Sequence, residues 1–306
     1  MPSLTEYRFN KASVSPVASK PLTTPASRAL FVDGTNGSDG NIGDFDSPFA
    51  SIAAAISASA ATRGDVIIVA PGTYTITAAL APKANTTIMA GRYVNPRSPS
   101  VIITGAVDLL EIDVSGTAYA GLEFKASDNA VATLVDIADT AAVAGVAFEG
   151  CVFNGVDKTS VVGVQADDAT FAMTEMYMRD CLFRDLTGTG LDIGALGMAY
   201  SQVIYNQFAL DINSGTGIAL ADTSAFATGK AFEIGWNTFT GFDASADEVG
   251  ITIAGTENTT GAGIIHDNRF AYIVAAAITI NKISLSEVSN YVGDAATGGT
   301  LVSPGS

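Results

Sequence analysis

The chain has 306 residues, of which 48% are hydrophobic and 15% charged, and its 31 acidic and 15 basic side chains leave a net charge of −16. The apolar fraction excludes a disordered chain, and the negative charge argues against proteins that bind nucleic acids or anionic membranes, because both need a basic surface. With so few charges, the surface is expected to consist largely of Ser, Thr, Asn, Gly and Ala.

Residues 1–28 form a segment of their own, rich in Pro, Ser, Thr and Ala and without a sustained apolar period. This composition predicts an extended, flexible arm, which we expect to serve in anchoring and assembly. A secretory signal would place roughly 7 to 15 consecutive apolar residues near the start. The arm lacks such a run, so we expect the chain to be made and folded in a host cytoplasm. Residues 295–306 are predicted to form a similar C-terminal tail.

Residues 29–64 are predicted to form a capping module with a short strand, a turn-rich loop and a helix. Ser47 is a good helix N-cap and Pro48 suits the first helical position, so we predict a helix that begins at Pro48 and ends near Ala60. The loop before it offers oxygen ligands for a cation, although turn capping is the commoner role of such side chains. The candidate ligands are Asp33, Asp39 and Asp44.

From residue 65 to residue 294 a short motif recurs at intervals of 22 to 31 residues, with Cys or Asn at its third position and an aromatic residue commonly two positions later. The third positions are Cys151, Cys181, Asn206, Asn237, Asn268 and Asn290, and the aromatic positions are Phe153, Phe183, Phe208, Phe239 and Phe270. Between the copies, a second set of segments alternates apolar and polar residues, as is typical of strands with one buried face. Interleaved strands at this period, without helix-length patterns, predict a parallel β-helix.

Equivalent residues of a parallel β-helix stack ~4.8 Å apart along its axis. The Asn side chains can therefore form a hydrogen-bonded ladder at a tight corner, where Asn tolerates a left-handed backbone, and the Phe side chains can form an aromatic stack. Cys151 and Cys181 occupy ladder positions on successive coils, within the range of a disulfide. Folding in a cytoplasm favours two buried free thiols instead.

The motifs FVDGTNGSDG, SPFASIAAAI and GDVIIVAPGTY, within about residues 30–77, resemble the first module of the pectin-lyase-like superfamily. The resemblance implies an all-β fold, namely a right-handed, single-stranded parallel β-helix with an N-terminal capping helix and an extended arm. Such modules occur in polysaccharide lyases, glycoside hydrolases, epimerases, adhesins, and phage tailspikes and virion proteins. The fold therefore leaves the function open.

Candidate catalytic side chains are sparse in the repeats. A lyase needs calcium held by clustered carboxylates and a Lys or Arg base, and no basic residue stands beside a clear acidic cluster. A hydrolase needs two carboxyl groups about 5 to 9.5 Å apart. The candidates are Asp167, Asp168, Asp180, Asp185, Asp192 and Asp211, each with a solvated turn as the alternative. Asp136 shares a column with Asp192, but the intervening copy has Gly163 and the following copies have Ala219 and Thr252, which predicts that the column does not sustain an acidic groove.

Two single residues also stand out. Trp236, just before a ladder position, is predicted to face outward, where it can stack on a sugar or contact another subunit. His266 has no nucleophile at a suggestive spacing, so a surface or hydrogen-bonded structural role is favoured over catalysis.

These features lead to a structural virion protein of a bacteriophage as the expected function, as a capsid decoration, cement or head-spike protein. We expect a homotrimer located in the virion that contacts other virion proteins, the major capsid protein among them, through residues 1–28. The alternatives are a tailspike-type polysaccharide depolymerase, acting as hydrolase or lyase, and a non-catalytic adhesin that binds host surface glycan. No cofactor, nucleic-acid partner or membrane partner is expected.

Overall fold

The structure, a computed structural model, describes residues 27–92, 99–127, 131–138, 140–158, 161–166, 172–194, 198–210, 215–220, 231–241, 249–253, 262–271, 273, 276–280, 285–288 and 290–292. In these residues the chain winds into a parallel β-helix, so the predicted fold class is confirmed. One coil passes through three long sheets, named A, B and C, and the neighbouring strands within each sheet are parallel. The predicted tail and residues 1–26 of the predicted arm lie outside the described residues.

The strands of the described residues divide among these sheets as follows. Sheet A contains Ala29–Val32, Val66–Val69, Thr87–Ala90, Ala118–Ala120, Ala147–Glu149, Tyr177–Arg179, Gln202–Ile204, Ala231–Gly235, Ala262–His266 and Leu285–Val288. Sheet B contains Gly72–Ile76, Val101–Gly105, Leu122–Ala126, Val152–Lys158, Leu182–Leu186, Gln207–Leu210, Thr238–Thr240, Arg269–Ala271 and Tyr291–Val292. Sheet C contains Leu110–Ile112, Thr133–Ile137, Val162–Ala166, Thr189–Ile193, Thr216–Leu220, Val249–Ile253 and Ala276–Ile280. A short fourth sheet joins Val143–Ala144, Met173–Thr174 and Met198–Ala199.

The capping helix is shorter than the sequence predicts. Helix α1 runs over Ile52–Ala58, and its N-cap is Ser51, whose hydroxyl accepts a hydrogen bond from the Ala54 amide. The predicted start at Pro48 is wrong because the next residue, Phe49, makes strand-like hydrogen bonds: its amide donates to the Phe31 carbonyl, and its own carbonyl accepts from the Asp33 amide. No helix in the described part of the chain is long and apolar enough to cross a membrane.

A stack of Phe rings runs through the core beneath sheet B. The stack starts one coil earlier than the sequence motif, at Phe124, and continues to Phe270 with successive ring centroids 4.5 to 5.6 Å apart. Each ring is at most 1% exposed. Burial of one such side chain stabilises the fold by about 1.5 to 3 kcal/mol, so the stack is a main source of stability along the axis.

A column of glycines in sheet C makes room for these rings. A Cβ atom added to Gly163, Gly190 or Gly217 would lie 2.5 to 2.7 Å from the carbonyl oxygen of the next strand, and within 3.0 Å of a Phe ring. Because the obstacle includes backbone, it cannot move aside cheaply. The column is therefore fixed by space, a requirement that the period-two pattern of the sequence does not reveal.

The Asn ladder lies at the corner between sheets A and B. The amide of Asn206 donates to Asn237 at 3.1 Å, and the same bond links Asn237 to Asn268 and Asn268 to Asn290, both at 3.0 Å. The ladder oxygen of Asn206 accepts from the backbone amide of Cys181. All of these bonds are buried or partly buried, so they also bring the coils into register.

The same corner contains the two thiols and a set of residues with left-handed backbone. Cys151 and Cys181 are buried and free, and burial raises the pKa of the Cys181 thiol, which keeps it protonated and unreactive. At four of the ladder positions the left-handed backbone falls on the preceding non-glycine residue and not on the ladder residue itself. Those residues are Asp180, Tyr205, Trp236 and Asp267, with φ between 50° and 59°.

Candidate functional site

Four polar side chains form a column on the outer face of sheet C. The strand register aligns Glu111 with Asp136, Asp136 with Gln165, and Gln165 with Asp192. Each side chain alternates with buried apolar neighbours, such as Val135 on the strand of Asp136. The apolar neighbours face the core, so the four polar side chains face outward on four successive coils. We call them the sheet C column.

This register corrects the sequence alignment. The sequence places Gly163 between Asp136 and Asp192, whereas the structure places Gln165 there. The register is constant on both sides of Gly163, with Val162 beside Thr133 and Val164 beside Val135, so Gln165 is the residue that stands beside Asp136. The column is therefore polar over four coils, but the amide of Gln165 divides the two aspartates and Ala219 and Thr252 follow them, so it is not a continuous acidic groove.

The spacing of the column follows from strand geometry. The strands that carry Glu111 and Asp136 are ~4.8 Å apart, and the strands that carry Asp136 and Asp192 are two steps or about 9.6 Å apart. These values are close to the two carboxyl separations used in glycoside hydrolysis, about 5 Å for retention and 6.5 to 9.5 Å for inversion. Between them, the Oε1 atom of Gln165 accepts a hydrogen bond of 2.6 Å from the Thr133 hydroxyl, which turns its NH2 group away from Thr133.

Of the six aspartates predicted as catalytic candidates, the structure places one in this column, Asp192. Asp180 lies two residues before the strand Leu182–Leu186, and Asp185 lies near the end of that strand. At ~3.3 Å per residue the two are roughly 15 Å apart, too far to act as a pair. Asp180 instead lies 3.1 Å from the guanidinium of Arg179. The other candidates, Asp167, Asp168 and Asp211, lie outside the described residues.

The candidate cation ligands of the capping module bind backbone amides. Asp33 accepts hydrogen bonds from Thr35 and Asn36, Asp39 accepts from Ala50 and Ser51, and Asp44 accepts from Ser47. The Asn36 side chain also donates to Asp33, and these bonds lower the pKa of that carboxyl. The three carboxylates thus cap turns, and the described residues contain no group of three His, Cys, Asp or Glu side chains arranged to hold a metal ion.

Sheet B carries basic and amide side chains at the equivalent place. Its register aligns Thr104, Lys125, Asn154 and Arg184 on successive coils, and we call these four residues the sheet B column. Arg184 donates to the carboxylate of Glu123 at 2.9 Å, and Asn154 donates to the same carboxylate at 2.8 Å. Glu123 is 3% exposed, so this buried charge is balanced by both donors and holds the guanidinium in place.

The corner between sheets A and B carries an exposed aromatic pair. Tyr205 and Trp236 are stacked with centroids 5.1 Å apart and a 6° angle between the rings. The guanidinium of Arg179 covers the outer face of Tyr205 at 5.2 Å, and His266 contacts Trp236 at 4.4 Å. Trp236 is 41% exposed, with Tyr205 stacked on one face and the His266 ring nearly perpendicular to it, so it faces outward as the sequence predicts. Stacking on a sugar and contact with another subunit both stay predictions.

His266 lies between two carboxylates at this corner. Its Nε2 atom is 2.9 Å from Glu233, and its Nδ1 atom is 2.9 Å from Asp267. Burial lowers the pKa of the imidazole, but the hydrogen bonds to Asp267 and Glu233 outweigh burial and raise it above the ordinary value. The residue is thus a hydrogen-bonded structural histidine, in line with the role favoured by the sequence.

Comparison with solved structures identifies proteins that share the fold of this chain. No protein-family model and no curated protein matches the chain. The deglycosylated pectin methylesterase of Aspergillus niger superimposes with a TM-score of 0.60 at 13% identity, covering 86% of this chain and 85% of that chain. Escherichia coli ybhc gives 0.53 at 14% identity, over 92% and 90% of the two chains.

A third solved structure, pectin methylesterase PemA from Erwinia chrysanthemi, has a TM-score of 0.52 at 12% identity and covers 90% of this chain and 91% of that chain. These structural neighbours include carbohydrate-active proteins. At such low identity the likeness establishes the shared fold alone, which is the right-handed parallel β-helix of the pectin-lyase-like type.

Proposed function

We propose that the chain is a carbohydrate-active β-helix protein that hydrolyses an extended polysaccharide at the sheet C column. The strand register carries the proposal, because it places Asp136, Gln165 and Asp192 side by side on three successive coils. A column parallel to the axis suits a chain-like substrate that lies across several coils. The pectin methylesterases among the structural neighbours support a carbohydrate as the substrate class.

The two aspartates suit hydrolysis with inversion. Glu111 lies one strand from Asp136. Because two carboxyl groups at such a short distance do not both ionise readily, Asp136 is assigned as the general acid that protonates the leaving oxygen. Asp192, between Gln165 and Ala219, is assigned as the base. It takes a proton from a water molecule whose oxygen bonds to the anomeric carbon as the glycosidic C–O bond breaks.

The test is incubation of the purified protein with a panel of neutral and acidic polysaccharides, with new reducing ends as the readout and NMR of the first-formed anomer for stereochemistry. Asp136→Asn and Asp192→Asn should each lower the rate about 10²- to 10⁴-fold, the usual contribution of an acid or base. Asp180→Asn, an exposed aspartate at another corner, is the matched control and should retain the rate. Absence of new reducing ends across the panel would refute the hydrolase.

A structural virion protein is the second candidate. It is supported by the outward positions of the later coils, where Ala209, Ala219, Thr240 and Thr252 replace charged and amide side chains. Small neutral side chains suit packing against other proteins and offer no acid, base or nucleophile. Deletion of residues 1–28 should then abolish incorporation into particles while leaving the circular dichroism of the β-helix unchanged, and incorporation of the truncated chain would refute this role.

A further inference from the structure

The sheet B and sheet C columns match each other coil by coil. From Val101 to Ile280, each described strand of sheet B is followed by a strand of sheet C, so each of these coils has one position of each column. At each height the sheet B residue and the sheet C residue are of matching type. A hydroxyl or a cation on sheet B has a carboxylate on sheet C, an amide has an amide, and a small side chain has a small side chain. The pairs are Thr104 with Glu111, Lys125 with Asp136, Asn154 with Gln165, Arg184 with Asp192, Ala209 with Ala219, and Thr240 with Thr252.

Within one chain, the two columns point in different directions. Sheets B and C enclose one core, so side chains on their outer faces diverge. Arg184, for example, forms its ion pairs with Glu123 and Asp185 on its own sheet. A second chain that lies parallel and at the same height can present its sheet B to sheet C of the first, and this brings all the matched pairs together at once.

We propose that a second copy of this chain docks in this way, parallel and in register, and that its sheet B forms the opposite wall of the site on sheet C. That sheet C carries a site rests on the proposed function, whereas the docking of the second copy does not depend on it. Lys125 and Arg184 of the second copy then stand at the heights of Asp136 and Asp192. They add positive charge opposite the carboxylates of the sheet C column.

The surface of sheet B is prepared for such a contact. The bond to buried Glu123 fixes the Arg184 guanidinium before association, so less side-chain freedom is lost on docking. A groove of about 340 Å³ lies beside Lys125, between Thr73, Ile102 and Val156. The groove gives the second copy a concave surface as well as a complementary charge.

The contact joins two different faces, so repetition of it produces a closed ring or an open array. The homotrimer expected from the sequence is one such ring. A shift of the second copy by one coil that places Lys125 opposite Gln165 and Asn154 opposite Asp192 would lose both ion pairs, so the pattern favours the matched register over this one.

The first experiment measures mass by light scattering at low salt, without substrate. The wild-type chain of 31.2 kDa is expected to elute as an assembly of several copies, and Lys125→Asp is expected to weaken it at least tenfold. Combining Lys125→Asp with Asp136→Lys should restore the assembly, because the pair is reversed but still complementary. A monomeric wild type, or an assembly indifferent to both changes, would overturn the proposal.

Arg184 is left unchanged in these variants because its loss would leave the buried carboxylate of Glu123 without this ion pair. Circular dichroism and a thermal melt check that each variant is folded, and Arg92→Asp, at an exposed residue just after the sheet A strand Thr87–Ala90, controls for a simple change in net charge.

The second experiment tests the shared site. Lys125→Asp and Asp136→Asn chains, each with low hydrolase activity, are unfolded together and refolded. If the site lies between copies, mixed assemblies contain some sites with both native residues, and part of the activity returns. No recovery in assemblies of confirmed mixed composition would overturn the shared site. Lack of hydrolysis by the wild type would instead count against the proposed function, and the mass measurement would still decide the docking.

Discussion

Along the axis, the inward columns keep one residue type over many coils, whereas the outward columns change. Phe occupies the stack on six successive coils from Phe124 to Phe270, and Asn occupies four ladder positions. The sheet C column, in contrast, passes from carboxylates to Gln165 and then to Ala219 and Thr252. Repetition inside the coil serves stability, and variation outside leaves room for a site at one height.

The largest loss of stability is expected when the Phe stack is interrupted. Phe208→Ala removes a ring with no exposed surface and leaves a cavity between Phe183 and Phe239, so it should lower the free energy of unfolding by about 4 kcal/mol. Urea denaturation monitored by circular dichroism measures the loss. Phe45→Ala, at a ring that is 72% exposed, should cost much less. Equal losses at the two positions would mean that burial within the stack adds nothing to stability.

An added methyl group tests the space around the same stack. Gly217→Ala would place Cβ 2.6 Å from both the Gly250 carbonyl and the Phe239 ring, so destabilisation of about 3 kcal/mol is expected from overpacking. Gly40→Ala, where the nearest atom is at 3.8 Å, is the control and should stay within about 0.5 kcal/mol of the wild type. Thermal unfolding of both variants measures the difference, and a neutral Gly217→Ala would show that the strands can separate without cost.

The ladder provides a smaller effect. Asn237→Ala removes the bonds to Asn206 and Asn268 and leaves the Val203 carbonyl without its donor, which should cost about 2 kcal/mol. Thr238→Ala, at the next residue and facing outward, should be nearly neutral. Hydrogen exchange of the flanking coils reads out the result, because loss of the ladder should speed exchange on both sides. Unchanged exchange there would contradict a role in coupling the coils.

The smallest expected effect is the pH dependence at His266. Its pKa is raised in the folded chain, so its contribution to stability is present below the ordinary pKa of about 6.5 and is lost as the pH rises through the raised value. The loss should be about 1 kcal/mol at most. Urea midpoints at pH 6 and pH 9 measure it, with His266→Gln as the variant that cannot titrate. The same pH dependence in His266→Gln would assign it to another group.

Much of the interior could be predicted from the sequence, because a column that repeats is visible as a periodic motif. The Asn ladder and the Phe positions follow directly from such spacing. The helix start was missed because Phe49 bonds with Phe31, a contact between separate segments. The place of Gln165 in the sheet C column was missed because the residue that stands beside Asp136 is set by pairing between strands 29 residues apart, which the local alternation of apolar and polar residues does not fix.

The regular ladder has a consequence for the length of the molecule. Asn206, Asn237 and Asn268 are each 31 residues apart, and each pair of neighbours brackets one complete coil. Removal of residues 207–237 would join Asn206 to the strand that follows Asn237, with an equivalent ring below and an equivalent amide to bond. The rod can thus be shortened or extended in steps of ~4.8 Å, and its evolutionary history can include gain and loss of whole coils while the charged coils stay intact.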